Sequence, residues 1–488
     1  MPLAAQWMVW SILLPLAGAA IFFLLKERHH AIIIIISLLT LLSTAGLAFN
    51  VWETGSQFHY AGGWQPPLGI VLYADGMSIL MMLMTALVGL SISLYALRYF
   101  SDKRSLKFFL PLWFFLWASL NALFLSGDIF NIYVTLELLS LSAVALVTVS
   151  SQQDASQRRD AVFAGMRYLL ISMLGSLCYL LGVALLYAGY GVLDLKLLSE
   201  VIAPSPSVFA AITFITIGLL IKTALFPLHF WLPPAHANAP APVSAVLSGL
   251  VVKASFYLLV RLWFGVFSFA LSSESGLFFG LLGASGILWG SFFALRQKTI
   301  KMLIAYSTVA QIGYMFLLFP LAADMPSLWS AMAMNAGIYH LISHAFAKSS
   351  LFLCSGNIIL AFGHNRIEGI GGIAKHYPLT FSALGLSGLG IIGLPISGGF
   401  IAKWQFLTAF IGSGQWWWAV IIITGSLMAA VYIYIIWSRI FAPLENDIVL
   451  NPVPKSMEIL ALFLSLISIF MGLTAEPVLQ MLHIGRHF

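Results

Sequence analysis

An all-α integral membrane protein is the fold class this sequence predicts, on three observations. Hydrophobic residues fill 61% of its 488 positions and charged ones only 8%, where a soluble domain averages about 25% charged residues. Mean hydropathy is +0.98. The apolar residues also fall into runs of about 20, the length that crosses the hydrocarbon core of a bilayer as a helix, and the runs are bounded by charge, Gly or Pro. This composition excludes a water-soluble enzyme and leaves no length for a sizeable extramembrane domain.

Fourteen transmembrane helices follow from taking those runs in order. They begin near Leu3, Ala31, Leu72, Leu106, Ile129, Ala161, Phe209, Val243, Leu277, Ile300, Trp329, Thr380, Trp417 and Met457. The first is expected to be a retained helix, because MPLAAQWMVWSILL has no basic segment before its apolar stretch and no small-residue cleavage site after it. The seventh should be kinked or opened around Lys222, which lies between Gly218 and Pro227, since proline removes a backbone donor and frees a carbonyl. The eighth follows HFWLPPAHANAPAP, where Pro233, Pro234, Pro240 and Pro242 forbid a continuous helix. The twelfth, from about Thr380 to Ile411, is too long for one crossing and carries GLGIIGLPISGG at its middle, so it should break within the bilayer. A lysine beside a Pro/Gly break thus occurs twice, at Lys222 and Lys403, which is a mark of transporters built from inverted repeats. The expected organisation is helices 1–3 in residues 1–105, a first five-helix repeat (helices 4–8) in 106–269, a second, inverted repeat (helices 9–13) in 270–442, and helix 14 in 443–488.

The net charge of +6 is distributed as in a membrane protein, and no polybasic run suggests a nucleic-acid partner. Of the 23 Lys and Arg, the loops after helices 1, 3, 5, 9, 11 and 13 hold 16: Lys26, Arg28, Arg98, Lys103, Arg104, Lys107, Arg158, Arg159, Arg167, Arg296, Lys298, Lys301, Arg366, Lys375, Arg439 and Lys455. The opposite face holds Lys196, Arg261 and Arg486, with Arg261 read as a snorkelling anchor. By the positive-inside rule the first set is cytoplasmic, which puts both termini on the non-cytoplasmic side. Cys178 and Cys354 lie in separate apolar segments, so neither a disulfide framework nor a thiolate metal site is expected.

The remaining four cations, Lys222, Lys253, Lys348 and Lys403, all fall inside spans, together with Glu137. Each such group costs about 2.5–3.5 kcal/mol near a helix centre, about 12–17 kcal/mol for the five if uncompensated. That rivals the stability of a whole domain, about 5–15 kcal/mol. Five such groups therefore point to an internal, hydrated proton path. Glu137 lies well inside its span, whereas Asp75 and Asp128 are read as standing at helix ends within reach of water. It serves either as a structural partner of a lysine or as the carboxylate that keeps a neighbouring lysine charged until a proton arrives elsewhere. For Lys222 the alternative to proton carriage is snorkelling toward an interface, and for Lys253, at mid-span, a structural role. His229, seven residues after Lys222, returns to nearly the same helical face. His236, in the Pro-rich link, either holds a turn or joins the path. His340, His344 and Lys348 recur every fourth residue and form one stripe about 12 Å long. The HxxxH spacing also suits a metal, but no Cys or acid shares that face and Lys348 would repel a divalent ion, so no metal is expected. Nor is a cofactor, since the chain carries no Cys cluster and no dinucleotide-binding glycines.

The run KTALFPLHFWLPPAHANAPAPVSAVLSGLVVK from Lys222 to Lys253, with GDIFNIYVTLELLSLS upstream and HLISHAFAKSSLFLCSGNI downstream, carries a resemblance over nearly the whole chain. It resembles the antiporter-like subunits shared by complex I, membrane-bound hydrogenases and Mrp cation/proton antiporters. The resemblance implies 14 helices with two inverted five-helix repeats, broken helices 7 and 12, and a polar axis along the membrane midplane. Glu137, Lys222, Lys253 and Lys403 match that family's four central ionisable positions, and His340, His344 and Lys348 its connecting row. Lys403, where M-type complex I subunits have Glu, leaves a D-type Mrp subunit or an N-like or hydrogenase-type subunit, and of these the length and the stretch ADGMSILMMLMTALVGLSISLYA look most like D-type Mrp subunits. What this implies is a non-enzymatic, proton-translocating subunit of a Na+ or K+/H+ antiporter in a bacterial inner membrane, with other membrane subunits as partners. The other branch of the resemblance implies a proton-pumping subunit of a redox complex whose cofactors sit on other chains.

Overall fold

The computed structural model describes residues 3–24, 30–149, 155–324, 326–443 and 450–485. Lys26, Arg28 and Arg486 of the charge count therefore lie outside the described residues. The helices are α1 Leu3–Leu24, α2 His30–Thr54, α3 Gly76–Tyr99, α4 Lys103–Leu125, α5 Ile129–Thr148, α6 Ala155–Tyr190, α7 Leu195–Val201, α8 Pro206–Thr223, α9 Leu232–Asn238, α10 Ala241–Val246, α11 Val252–Phe264, α12 Ser273–Leu295, α13 Ile300–Phe316, α14 Leu328–Phe362, α15 Ile373–His376, α16 Pro378–Ile392, α17 Gly398–Gly412, α18 Trp417–Ile440, α19 Lys455–Phe470 and α20 Ala475–Leu482.

Among the described residues, 12 spans are long and apolar enough to cross a bilayer, and the pair α19 and α20, bent by 79°, adds one if it counts as a single span. The difference from fourteen falls at the expected twelfth span and, where that bent pair is not one crossing, at the fourteenth. At the twelfth, α16 and α17 have 15 residues each, and the chain between them turns through Gly393 at φ 84° and Ile396 at φ 74°. Neither half reaches across alone. The seventh span breaks as well: α8 stops at Thr223 with Ala224 in the left-handed conformation, and helix resumes only at Leu232. In the eighth, a π-turn at Leu247–Val251 joins α10 to α11.

The third span starts later than its apolar run suggests. Val71–Ala74 is instead a strand, β2, paired antiparallel with β1, Gln57–Tyr60. Asp75 then caps α3, its side chain accepting from Ser78 N at 2.9 Å.

Small residues set the helix contacts, as expected where lipid supplies no hydrophobic drive between helices. A Cβ on Gly218 of α8 would lie 2.4 Å from the Gly175 carbonyl of α6, and one on Gly313 of α13 would lie 2.3 Å from the Gly283 carbonyl of α12. All 13 residues of α11 are buried, whereas α6 and α18 turn Phe163, Leu170, Leu177, Leu427 and Tyr434 outward. The ionisable residues of the eighth and eleventh spans are thereby held in the interior.

Candidate functional site

Lys222, Lys253, Lys348 and Lys403 are all buried, with at most 5% exposure. Lys222 therefore does not snorkel to an exposed interface. Lys222 stands in the last turn of α8, and its Nζ donates to Ser140 Oγ of α5 at 2.7 Å and to Ser172 Oγ of α6 at 3.1 Å. Beside it is a hole of about 10 Å³ bordered by Tyr168, Trp231 and Ser255, close to the space one water needs. Ser255 belongs to α11, the helix that carries Lys253.

Glu137 sits on α5 one turn before Ser140, on the same face, and is only partly buried. No Glu137–Lys222 ion pair is formed. Among the described residues the ion pair is Arg261–Asp75, at 2.7 Å. This corrects one expectation. Arg261 is not an exposed anchor, for it is 7% exposed, and Asp75, at a helix end as expected, is itself only 2% exposed and meets water at the wall of a cavity. Asp75 occupies the cap of α3, and α11 carries Arg261 to it, with the rings of Tyr257 and Tyr73 at 5.0 and 5.5 Å from the guanidinium.

Lys253 donates to the carbonyl of Ser248, inside the π-turn. A widened turn breaks the regular bonding ladder and turns a carbonyl toward the amine. Lys348 of α14 donates to Ile304 O at 3.0 Å and to Ser307 Oγ, both on α13. The His340 and His344 rings lie 5.7 Å apart and parallel within 4°. None of their four nitrogens has a partner among the described residues. Tyr314 is 5.5 Å from His340, ring to ring, and its face lies 4.5 Å from Lys403 Nζ. Lys403 Nζ donates to Ile391 O at 3.1 Å, Ile392 O at 2.9 Å and Ser426 Oγ at 3.0 Å. The two carbonyls close α16, where the left-handed Gly393 ends the helix and leaves them free for a side-chain donor.

His229 lies in the turn after α8, its ring 5.6 Å from Phe226. His236 is fully buried and stacked on Phe352 at 4.7 Å. Neither of its nitrogens bonds a turn, so the turn-holding alternative does not describe it. Lys301, expected among the loop cations, is instead 4% exposed and bonds the carbonyls of Ala237 and Ala239. One signal was available: a lysine in the first turn of a helix opposes the helix dipole. Tyr314 and the serines that receive the amines carried no such signal.

A chain with two interrupted helices and a buried lysine at each interruption matches one family model over more than half its length. Residues 126–429 match the model described as NADH:quinone oxidoreductase/Mrp antiporter, TM, and residues 65–109 match that of the N-terminus of complex I chain 5. The chain belongs to the NADH:quinone oxidoreductase/Mrp antiporter family. It is 36% identical over 382 residues to the N-type subunit of an NADH-quinone oxidoreductase from Desulforudis audaxviator, covering 77% of this chain and 74% of that one. It is 27% identical over 456 residues to the D-type subunit of a Na(+)/H(+) antiporter from Alkalihalophilus pseudofirmus, covering 90% and 87%. The Mrp complex from Dietzia sp. DQ12-45-1b contains a chain that superposes with a TM-score of 0.89 at 23% identity, covering 99% of this chain and 96% of its own. That chain shares this fold.

Proposed function

We propose that this chain is the proton-translocating membrane subunit of a multisubunit Mrp-type Na+(K+)/H+ antiporter, assembled with other membrane subunits in a bacterial inner membrane. Similarity to a D-type antiporter subunit over 90% of the chain supports the choice of complex. One observation carries the mechanism: four lysines are buried without a carboxylate partner within ion-pair distance and held by hydroxyls and carbonyls. A serine hydroxyl can accept from an ammonium or donate to a neutral amine, so Lys222, Lys348 and Lys403 keep a partner in either protonation state. The unbonded nitrogens of His340 and His344 lie between Lys348 and Lys403, and buried groups of this kind are ordinarily satisfied by internal water.

The path runs from Lys222 through Lys253, Lys348, His344 and His340 to Lys403, with His229 and His236 as side branches. In a low-dielectric interior neighbouring ammonium groups repel strongly, so a proton arriving at one expels a proton from the next. Glu137, partly buried on α5 one turn before Ser140, controls the charge on Lys222 from there. Each five-helix repeat, residues 106–269 and 270–442, supplies one half-channel. The loops richest in Lys and Arg face the cytoplasm, with both termini on the other side.

Glu137→Ala and Lys253→Ala, in the native complex in everted vesicles, should abolish Na+-driven proton movement followed by a pH dye. Normal flux in assembled complexes would overturn the proposal. The identity of 36% to a quinone oxidoreductase subunit favours a second reading, in which redox partners drive the same row. Iron–sulfur absorbance in the purified native complex selects that reading, and its absence selects the antiporter.

A further inference from the structure

Lys301 is a buried cation that the row of four lysines does not use. It is the second residue of α13, and its amine reaches the carbonyls of Ala237, at 3.3 Å, and Ala239. Those carbonyls close α9, just where Pro240, which has no N–H, follows. On one side of this amine opens a polar cavity of about 350 Å³ whose lining includes Lys301, Asp160, Asn238, His364, Asn365 and Arg366. It has room for on the order of ten waters. Its wall is tied down by backbone bonds from Ile300 N to Asn365 O and from Ile367 N to Lys298 O, both 2.9 Å. One residue before Ala237, and outside the cavity lining, is His236, fully buried and with both ring nitrogens unbonded. The charges acting on that imidazole are Lys301, Lys348 and Lys253. Lys222, Lys253, Lys348 and Lys403 do not line the cavity.

We infer that Lys301 is the relay residue at a proton mouth, passing protons from the water of this cavity to His236. The inference rests on the transport reading above. The Lys301 ammonium gives a proton to an intervening water, which gives one of its own to a ring nitrogen of His236, so that an N–H bond is lost on Lys301 as one forms on His236. The lone pair left on the Lys301 amine then takes a proton from cavity water, which Asp160 and His364 resupply. His236 hands its proton on to Lys253 or Lys348. The competing role for Lys301 is a clamp that only ties the end of α9 to α13.

Arginine separates the two roles, since a guanidinium keeps the charge and the carbonyl bonds but does not release its proton. In the native complex in everted vesicles, with flux expressed per assembled complex, Lys301→Gln and Lys301→Arg should both slow proton movement by about a hundredfold. Lys301→His should retain flux at neutral pH and lose it between about pH 7 and 8.5, where an imidazole ordinarily stays unprotonated. The groups that face this position are Tyr99, Asp160, His364 and Arg366 in the cavity and His236 within the fold, with Lys253 and Lys348 beyond it. Wild-type flux in Lys301→Arg overturns the relay in favour of the clamp, as does a Lys301→His profile identical to wild type. Lys253→Gln is the reference. If it abolishes flux while Lys301→Gln does not, the relay alone falls; if neither changes flux, the transport reading falls with it.

Discussion

Replacing Asp75 with Asn should cost the fold about 3 kcal/mol, although the two side chains are nearly isosteric, because a charge would be left buried without its partner. Asn caps a helix about as well as Asp, so the bond from Ser78 N is kept and the change isolates the charge. What is lost is the 2.7 Å contact to Arg261, whose side chain is 8% exposed. A cavity of about 590 Å³ borders both residues and lets water approach, which places the cost at the lower end of the usual range of about 3–5 kcal/mol. Arg261→Gln should cost less, about 2 kcal/mol, since Asp75 would keep the Ser78 amide and the positive end of α3. The double variant removes both charges together. It should be no less stable than Asp75→Asn alone, a coupling of about 2 kcal/mol. Thermal unfolding in detergent, followed by a thiol-reactive dye as buried Cys354 becomes accessible, reads the order of stabilities in a Cys178→Ser background. If the double variant's loss equals the sum of the single losses within about 0.5 kcal/mol, the two charges are not coupled and the reasoning is refuted.

Gly393→Ala should cost about 1–2 kcal/mol in backbone strain at φ 84°, and its methyl would lie 2.8 Å from Lys403 Cδ, pushing the amine off the Ile391 and Ile392 carbonyls. Proton flux should fall in vesicles while assembly persists; Gly363→Ala, at φ 74° with open space around it, should show the strain without the flux loss. Asp102 caps α4, and the bonds it accepts from the Arg104 amide, the Ser105 hydroxyl and the Ser105 amide hold its carboxyl below the usual range. A carboxyl lowered on folding contributes above its ordinary value and loses that contribution as pH falls through the lowered one. Hydrogen exchange of the Arg104 and Ser105 amides, relative to intrinsic rates, should therefore stay slow in mild acid and quicken only in stronger acid, and Asp102→Asn should remove the dependence.

Lys222, Lys253, Lys348 and Lys403 were legible because each interrupts an apolar run, and the break between α16 and α17 was legible because GLGIIGLPISGG cannot continue a helix. Lys301 was not. It stands at the boundary of a run, where the same letter serves an exposed loop or a buried turn, and only α9 folding back over α13 buries it. Arg261 misled for a similar reason: its counter-charge, Asp75, is 186 positions away and itself stands beside a strand that the apolar pattern conceals. The Ser140, Ser172, Ser307 and Ser426 hydroxyls that hold three of the amines are indistinguishable in sequence from the many serines that bond their own helix.

By itself the sequence determined the all-helical membrane class, the places where helices must break and the ionisable groups that had to be sheltered from lipid. Each of these follows from transfer and backbone costs that belong to a residue and its near neighbours. Which helix shelters which charge, and whether a carboxylate or a ring of hydroxyls and carbonyls meets it, was decided only by the tertiary structure. Those contacts join segments tens to hundreds of residues apart, and a polar group's energy in a low-dielectric interior depends on the geometry of such contacts more than on the residue's own identity.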